Sequence, residues 1–330
     1  MYPSYPKTRM RRNRKAAWSR RLVKESSLSS NDLIWPLFVA EGNKVRDPVK
    51  SMPGVNRHSI DMLLKEVEKA SDVQIPLVAL FPHIDEELKD NVGKEATNSN
   101  NLICRCIKEI KRNFPNIGVM TDVALDPYTI HGHDGILDNE KIINDETIKV
   151  LVKQAIVQAE AGSDIIAPSD MMDGRIGIIR EELDKNKFTD TQILSYAVKY
   201  ASSFYGPFRN AVGSKLAKGD KKTYQMDIAN SDEALREIQL DINEGADLVM
   251  VKPGLAYLDV VQRIKSTFNI PIVIYQVSGE YAMIKAVSEK GWLSESKLVN
   301  ETLLSMKRAG ACAIATYFAY EFAKKIKMNS

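Results

Sequence analysis

The 330-residue chain predicts an α/β fold of the (β/α)8 class, a TIM barrel, with an extended N-terminal arm and a loop long enough to act as an active-site lid. Three observations carry this expectation. Eight short apolar runs recur along the chain, helical patterns separate most of them, and no Gly-x-Gly-x-x-Gly follows the first run. Continuous apolar runs of this length suit strands buried on both faces of a parallel sheet. Eight of them alternating with helices predict a closed barrel. A doubly wound open sheet is the alternative, but here it would lack its usual dinucleotide-binding turn.

The elements follow in order. Residues 1–30 are polar and basic: Lys7, Arg9, Arg11, Arg12, Arg14, Lys15, Arg20 and Arg21 crowd together, and no acid precedes Glu25. The expected strands are 33–39 (LIWPLFV), 75–81 (IPLVALF), 117–124 (IGVMTDVA), 164–169 (DIIAPS), 193–199 (ILSYAVK), 247–252 (DLVMVK), 270–276 (IPIVIYQ) and 311–317 (ACAIATY). Helices are expected at 60–70, from apolar spacings of three and four, and at 101–113. Asp145–Ala161 and Ser231–Glu244 open with cap-competent residues and stop before Gly162 and Gly245. Residues 259–268, 280–289 and 296–308 continue the pattern. Residues 200–230, rich in Gly, Ser and Lys, exceed a minimal connection and read as a lid or binding loop. Two units result, an arm over 1–30 and a catalytic barrel over 31–330.

Composition narrows the function. Hydrophobic residues make up 44% and charged residues 27%, which supports a sizeable core. No apolar run approaches the ~20 residues that span a bilayer, and the N-terminus lacks the apolar segment of a secretory signal. Cys104, Cys106 and Cys312 are too few and too odd in number for a disulfide framework, so a reducing, cytoplasmic location is expected. Cys104 and Cys106 lie two apart on a helical segment and point to different faces, which argues against a shared metal. Net charge is only +3. Outside the arm the chain is slightly acidic, which argues against a nucleic-acid role for the whole protein. The arm itself admits three readings: a nucleic-acid arm, a transit peptide, or a segment that docks on another subunit.

In a barrel, reactive side chains gather where strands end at the C-terminal face. Lys199 closes the fifth expected strand and Lys252 the sixth. One such lysine reads as a snorkelling side chain at a strand end. Two on neighbouring strands would repel each other as ammonium groups and lower the pKa of at least one. Schiff-base chemistry needs that, since a free lysine titrates near 10.4. After the third strand, the segment from Asp122 to Gly135 packs Asp122, Asp126, Asp134, His131 and His133 into one loop. It reads either as a solvated polar loop or as a cation site, and its carboxylates favour magnesium over zinc.

Several motifs then resemble one family. Met250-Val-Lys252-Pro-Gly254-Leu-Ala-Tyr257-Leu-Asp259 is similar to the Schiff-base signature of porphobilinogen synthases (5-aminolevulinate dehydratases). Ser195-Tyr-Ala-Val-Lys199 through Arg209 resembles their second-lysine segment. Gly219 to Asp227, Ala167 to Arg175 and Tyr275 to Tyr281 match as well. The similarity runs from the arginine-rich start to Tyr317. It implies condensation of two 5-aminolevulinate molecules to porphobilinogen with loss of two waters, a lyase reaction of tetrapyrrole (heme) biosynthesis. It further implies that Lys252 holds one substrate, at a position called P, and Lys199 the other, at a position called A. Ser278 and Tyr317 match the P-side carboxylate binders; Arg209, Lys221 and Gln225 match the A-side binders on the lid. Asp122 and Asp170 fall near the reacting centre, as charge stabilisers or proton carriers.

One departure bears on the metal. Zinc-dependent members carry three cysteines where this chain has Ala124, Asp126 and Asp134, and a thiolate zinc site cannot form from these. The resemblance is to the aspartate-rich subgroup, which is magnesium-associated and in some members assisted by potassium, so zinc is not expected. Asp126 and Asp134 become candidate ligands of an active-site cation, or residues that fix the lid. Glu237 matches the ligand of an allosteric magnesium at a subunit boundary. Arg9-Met-Arg11-Arg12 resembles the family's arm motif, which implies a homo-octamer of arm-hugging dimers and no nucleic-acid partner. Two rival readings are weaker. A one-lysine barrel aldolase leaves the second lysine unexplained, and a basic-arm binding protein explains neither.

Overall fold

The computed structural model describes residues 4–214, 216–217 and 219–329. Eight parallel strands close into a barrel: β1 (Leu33–Val39), β2 (Leu77–Pro82), β3 (Gly118–Val123), β4 (Ile165–Pro168), β5 (Gln192–Lys199), β6 (Leu248–Lys252), β7 (Ile272–Gln276) and β8 (Ala313–Thr316). They are ordered by sequence, and β8 pairs back onto β1 through Leu33↔Ile314 and Ile34↔Ala315. Closure removes both sheet edges and buries the strands on two faces. That is why the runs are apolar throughout and not alternating: all seven residues of β1 are buried.

Eight helices follow the strands: α1 (Ile60–Asp72), α2 (Leu102–Asn113), α3 (Asn144–Ala161), α4 (Arg175–Lys185), α5 (Asp232–Asn243), α6 (Leu258–Thr267), α7 (Glu295–Ala309) and α8 (Ala319–Asn329). Their boundaries come from local chemistry. The Asn101 side chain accepts the Cys104 amide at 2.8 Å and starts α2. Gly162, at φ +106°, ends α3 in a conformation that other residues resist. On α2, Cys104 and Cys106 are both buried among apolar neighbours, while Cys312 is exposed.

The expected strands all form, with ends shifted by one or two residues. Four features of the structure go beyond the sequence reading. Helix α4 was obscured by Gly174 and Gly177; the Gly177 amide donates to the Glu244 side chain just past α5 at 3.1 Å. A small hairpin, Arg46–Pro48 with Asn56–His58, follows β1 and pairs with its end. The long connection after β5 is not irregular throughout, since Gly206–Val212 is helical. Ser231 occupies the cap position of α5, but its hydroxyl makes no cap bond and instead accepts from Arg263 at 2.6 Å. In the arm, Met10–Arg14 forms a 3-10 turn and Ala17–Leu22 a short helix. Ser19 is the one buried residue described between positions 4 and 30.

A further helix, Ser278–Glu289, intervenes between β7 and α7 and meets the base of the lid. A Cβ on Gly279 would stand 2.5 Å from the Phe204 carbonyl oxygen and 2.8 Å from its Cα, so only glycine fits that approach. Gly279→Ala is expected to cost about 1–3 kcal/mol through backbone overpacking, measured as a shift of the urea unfolding midpoint.

Candidate active site

Strands β5 and β6 end in the two lysines, and pairing places Lys199 and Lys252 as register partners. Two amines therefore leave adjacent strands at the C-terminal mouth of the barrel. Each residue is 5% exposed, which rules out a snorkelling role.

Their surroundings differ. The Lys252 Nζ is enclosed by aromatic faces, 4.7 Å from the ring centre of Tyr275, 5.0 Å from Phe208, 5.1 Å from Tyr196 and 5.3 Å from Tyr205. Among the described residues no carboxylate pairs with it. Burial, seconded by the charge of Lys199, pushes its pKa down to about 7, against the pull of Asp122, Asp126 and Asp134. Lys199 instead donates to the Ser169 carbonyl and pairs with Asp134 Oδ1 at 3.2 Å.

Asp134 is shared. Its Oδ2 lies 2.7 Å from Lys221 Nζ, and Lys221 also faces Asp126 at 3.5 Å. Burial alone would raise the Asp134 carboxyl, but Lys199 and Lys221 outweigh it and hold the group well below the usual range. Burial opposes the Lys221 charge too, yet Asp126 and Asp134 raise its pKa overall. Asp126 and Asp134 thus face the ammonium groups of Lys199 and Lys221, and the Lys221 contacts tie the lid to this loop, in keeping with the alternative that these aspartates fix the lid.

Asp122, Ser169, Tyr205, Phe208, Arg209 and Gln225 complete the lining around these groups. Burial pushes Asp122 up to about 6, opposed by a hydrogen bond from Ser169. The enclosed space is about 20 Å³, room for about one water. The lid thus lies closed, with Phe208 packed between Phe38 and Phe81 at 5.7 and 5.4 Å.

The other expected residues fall outside this lining. Asp170 is buried beside β4 and turned away: its Oδ1 accepts the Met172 amide at 2.7 Å and its Oδ2 faces Arg175 at 3.4 Å. Burial raises it to about 6, with Arg175 opposing. It stands next to Ser169 in the chain, outside the lining, and feels the charge of Asp134. The Ser278 hydroxyl accepts the Phe208 amide at 2.9 Å and donates to the Phe204 carbonyl at 3.3 Å, so the closed lid holds it. The Tyr317 hydroxyl bonds that of Tyr275 at 3.0 Å, one ring removed from Lys252.

Glu237 lies on α5, well apart from the lysines. It lines a separate cavity of about 520 Å³ with Asp173, Glu233 and the lid residues Lys222 and Tyr224. Burial, then the charge of Asp241, raises its pKa, with Arg175 opposing. A half-buried carboxylate among three others suits a hydrated cation, which needs few protein ligands. No cluster of three or more ligand side chains exists among the described residues, and a mostly water-ligated ion does not require one.

A lysine pair of this geometry invites comparison with known enzymes. The family model described as Delta-aminolevulinic acid dehydratase matches residues 7–325. The chain belongs to that family. A delta-aminolevulinic acid dehydratase of Bradyrhizobium diazoefficiens is 59% identical over 320 residues, covering 97% of this chain and 91% of the relative. One from Chlamydia pneumoniae is 50% identical over 94% of each chain. The crystal structure of the Toxoplasma gondii ME49 enzyme in complex with the reaction product porphobilinogen superposes with a TM-score of 0.97 at 51% identity. It covers 98% of this chain and 92% of that one.

Within this dehydratase-family site, sequence reasoning missed the aromatic enclosure. Tyr196, Tyr205, Phe208 and Tyr275 all lie inside the motifs that flagged the lysines, but no spacing says that four rings converge on one amine. It also missed Glu280, whose buried carboxylate accepts the amides of Gly254, Leu255 and Val277 at 3.2, 2.5 and 2.7 Å. That clamp ties the turn after Lys252 to the turn before Ser278.

A Lys252 pKa near 7 sets the sign of a pH dependence. The neutral, nucleophilic fraction grows as pH rises, so borohydride trapping of a ketone on Lys252 is expected to accelerate through pH 7 and level off above about 8. Phe208→Ala admits water and is expected to move that profile about one unit to higher pH, read by trapping rates across pH.

Proposed function

We propose that this chain condenses two 5-aminolevulinate molecules into porphobilinogen through Schiff bases on Lys252 and Lys199. The observation that carries the reading is the register pairing of two buried lysines, of which one titrates near 7. Family membership and the product-bound relative support the reaction and its lyase class.

The chain's own groups account for the steps. Neutral Lys252 attacks the ketone carbon of the P-side substrate; the carbonyl oxygen leaves as water and an imine remains. The aromatic enclosure excludes bulk water that would hydrolyse it. Lys199, held beside it by Asp134 and the Ser169 carbonyl, takes the A-side substrate. Asp122, at about 6, sits in the lining and is suited to moving protons near neutral pH. Arg209, Lys221 and Gln225 arrive from the lid with two cations for the A-side carboxylate. Ser278 and Tyr317 are the hydroxyl donors for the P-side carboxylate, which requires Ser278 to release the lid residues it now holds. Overall one carbon–carbon and one carbon–nitrogen bond form, two waters leave, and both lysines are regenerated.

The remaining parts of the reading are magnesium at Glu237, a homo-octamer assembled through the arm over residues 1–30, and a cytoplasmic location. Magnesium at Glu237 would add to the positive charge of Arg175 against Asp241, Asp173 and Glu233, and the adjoining lid residues give it a route to influence closure. Binding confined to one assembly would favour that assembly by mass action.

Borohydride reduction in the presence of 5-aminolevulinate, followed by peptide mass mapping, is expected to label Lys252; label on neither lysine refutes the mechanism. Lys252→Ala should lower turnover by at least about 10³-fold. Chelation with EDTA should lower activity or shrink the assembly in sedimentation, with magnesium restoring it. Glu237→Ala should blunt the magnesium response while leaving Lys252 trapping intact, and an unchanged response removes Glu237 from the account.

A further inference from the structure

We infer that Arg57 and Lys89 are positioning residues that latch the lid helix over the lysine pair. The lid helix, Gly206–Val212, ends at Gly213, whose φ of +70° turns the chain away. A helix end leaves its last carbonyls without amide partners. Here the Arg209 carbonyl is met by the Ser214 amide at 3.1 Å, and cations from two distant loops take those that follow. Arg57 reaches from the hairpin after β1: its Nε donates to the Ala211 carbonyl at 2.6 Å and its Nη2 to the Asn210 carbonyl at 2.6 Å. Lys89 reaches from the connection after β2 and donates to the Gly213 carbonyl at 3.0 Å.

Both cations are prepared for this contact. Arg57 is anchored in a strand whose register with Phe38 is set by β1, and its third guanidinium nitrogen pairs with Asp47. The Lys89 side chain is only 2% exposed and pairs with Glu86 at 2.6 Å. Burying a lysine is unfavourable unless its charge is matched, and its second partner is the lid. Positive charge at a helix C-terminus is also favoured by the helix dipole.

The consequence reaches the chemistry because this short helix carries Phe208, one wall of the Lys252 enclosure, and Arg209, which lines the cavity. A space of about 20 Å³ admits neither substrate, so the helix has to leave and return in each cycle. The three carbonyl bonds break and reform with it, and they set how firmly the return places Phe208 and Arg209.

The test uses the full-length protein and three variants, Arg57→Ala, Lys89→Met and Arg57→Lys. The alanine and methionine variants are expected to raise KM for 5-aminolevulinate about five- to twentyfold. They should speed amide hydrogen exchange over residues 208–214 by about tenfold or more, with exchange in the barrel strands unchanged. Arg57→Lys, which cannot span two carbonyls, should fall between wild type and alanine. If Arg57→Ala does not fold, Lys89→Met and Arg57→Lys carry the same test. KM within about twofold of wild type with unaltered lid exchange overturns the latch. So does faster exchange spread evenly over the barrel, which marks a structural role only. Turnover by the unsubstituted protein tests the reaction separately, so failure of the latch and failure of the function are distinguishable.

Discussion

Two amines on adjacent strands cannot both carry full charge in a dry barrel mouth without strong repulsion, and the rest of the site is arranged around that constraint. The structure resolves it by unequal surroundings. Lys199 is given Asp134 and the Ser169 carbonyl, while Lys252 is given four aromatic rings and, among the described residues, no carboxylate partner. Ring faces tolerate an ammonium, but less well than water or a carboxylate does. The asymmetry lowers the pKa of Lys252. A free lysine titrating near 10.4 is about 0.04% neutral at pH 7, whereas a group near 7 is half neutral.

The asymmetry is completed by the lid and not by the barrel alone. Tyr205 and Phe208 supply two of the four rings around Lys252, and Lys221 supplies the second cation on Asp134. Both rings belong to the enclosure whose burial lowers the Lys252 pKa, so the closed lid contributes to that shift as well as shielding an imine from hydrolysis. Raising the lid would release Ser278 from Phe204 and Phe208, and hence free a hydroxyl for the substrate carboxylate.

How much of this was legible in the sequence follows from the range of each interaction. The barrel was readable because strand burial on two faces leaves a local signature, an unbroken apolar run. Helix α4 escaped because Gly174 and Gly177 weaken its local pattern. The lysines were readable because a charge closing an apolar run is conspicuous. The fate of Asp126 and Asp134 was not, since carboxylates in a loop look alike whether they meet a metal or an ammonium. Lys221, which faces both, stands almost ninety residues further on in the chain. Asp170 shows the same limit in reverse. It directly follows Ser169, which lines the cavity, yet its carboxylate faces Arg175 and the Met172 amide.

The lid is held by polar contacts at both ends, and this choice suits a part that must move. Its base meets Ser278 and Gly279, its helix end meets Arg57 and Lys89, and its later half meets the aspartates through Lys221. A lid sealed by a large apolar face would gain stability in proportion to buried area and open slowly. Hydrogen bonds exchange with water at small net cost, about 1 kcal/mol each, so several of them give definite placement without a deep energy minimum. Phe208 is a large apolar group of the lid in the mouth, and it packs against Phe38 and Phe81 in the space next to Lys252. Substrate entry can take over that contact, because the apolar surface Phe208 leaves behind can be covered again by the carbon chain of the ligand.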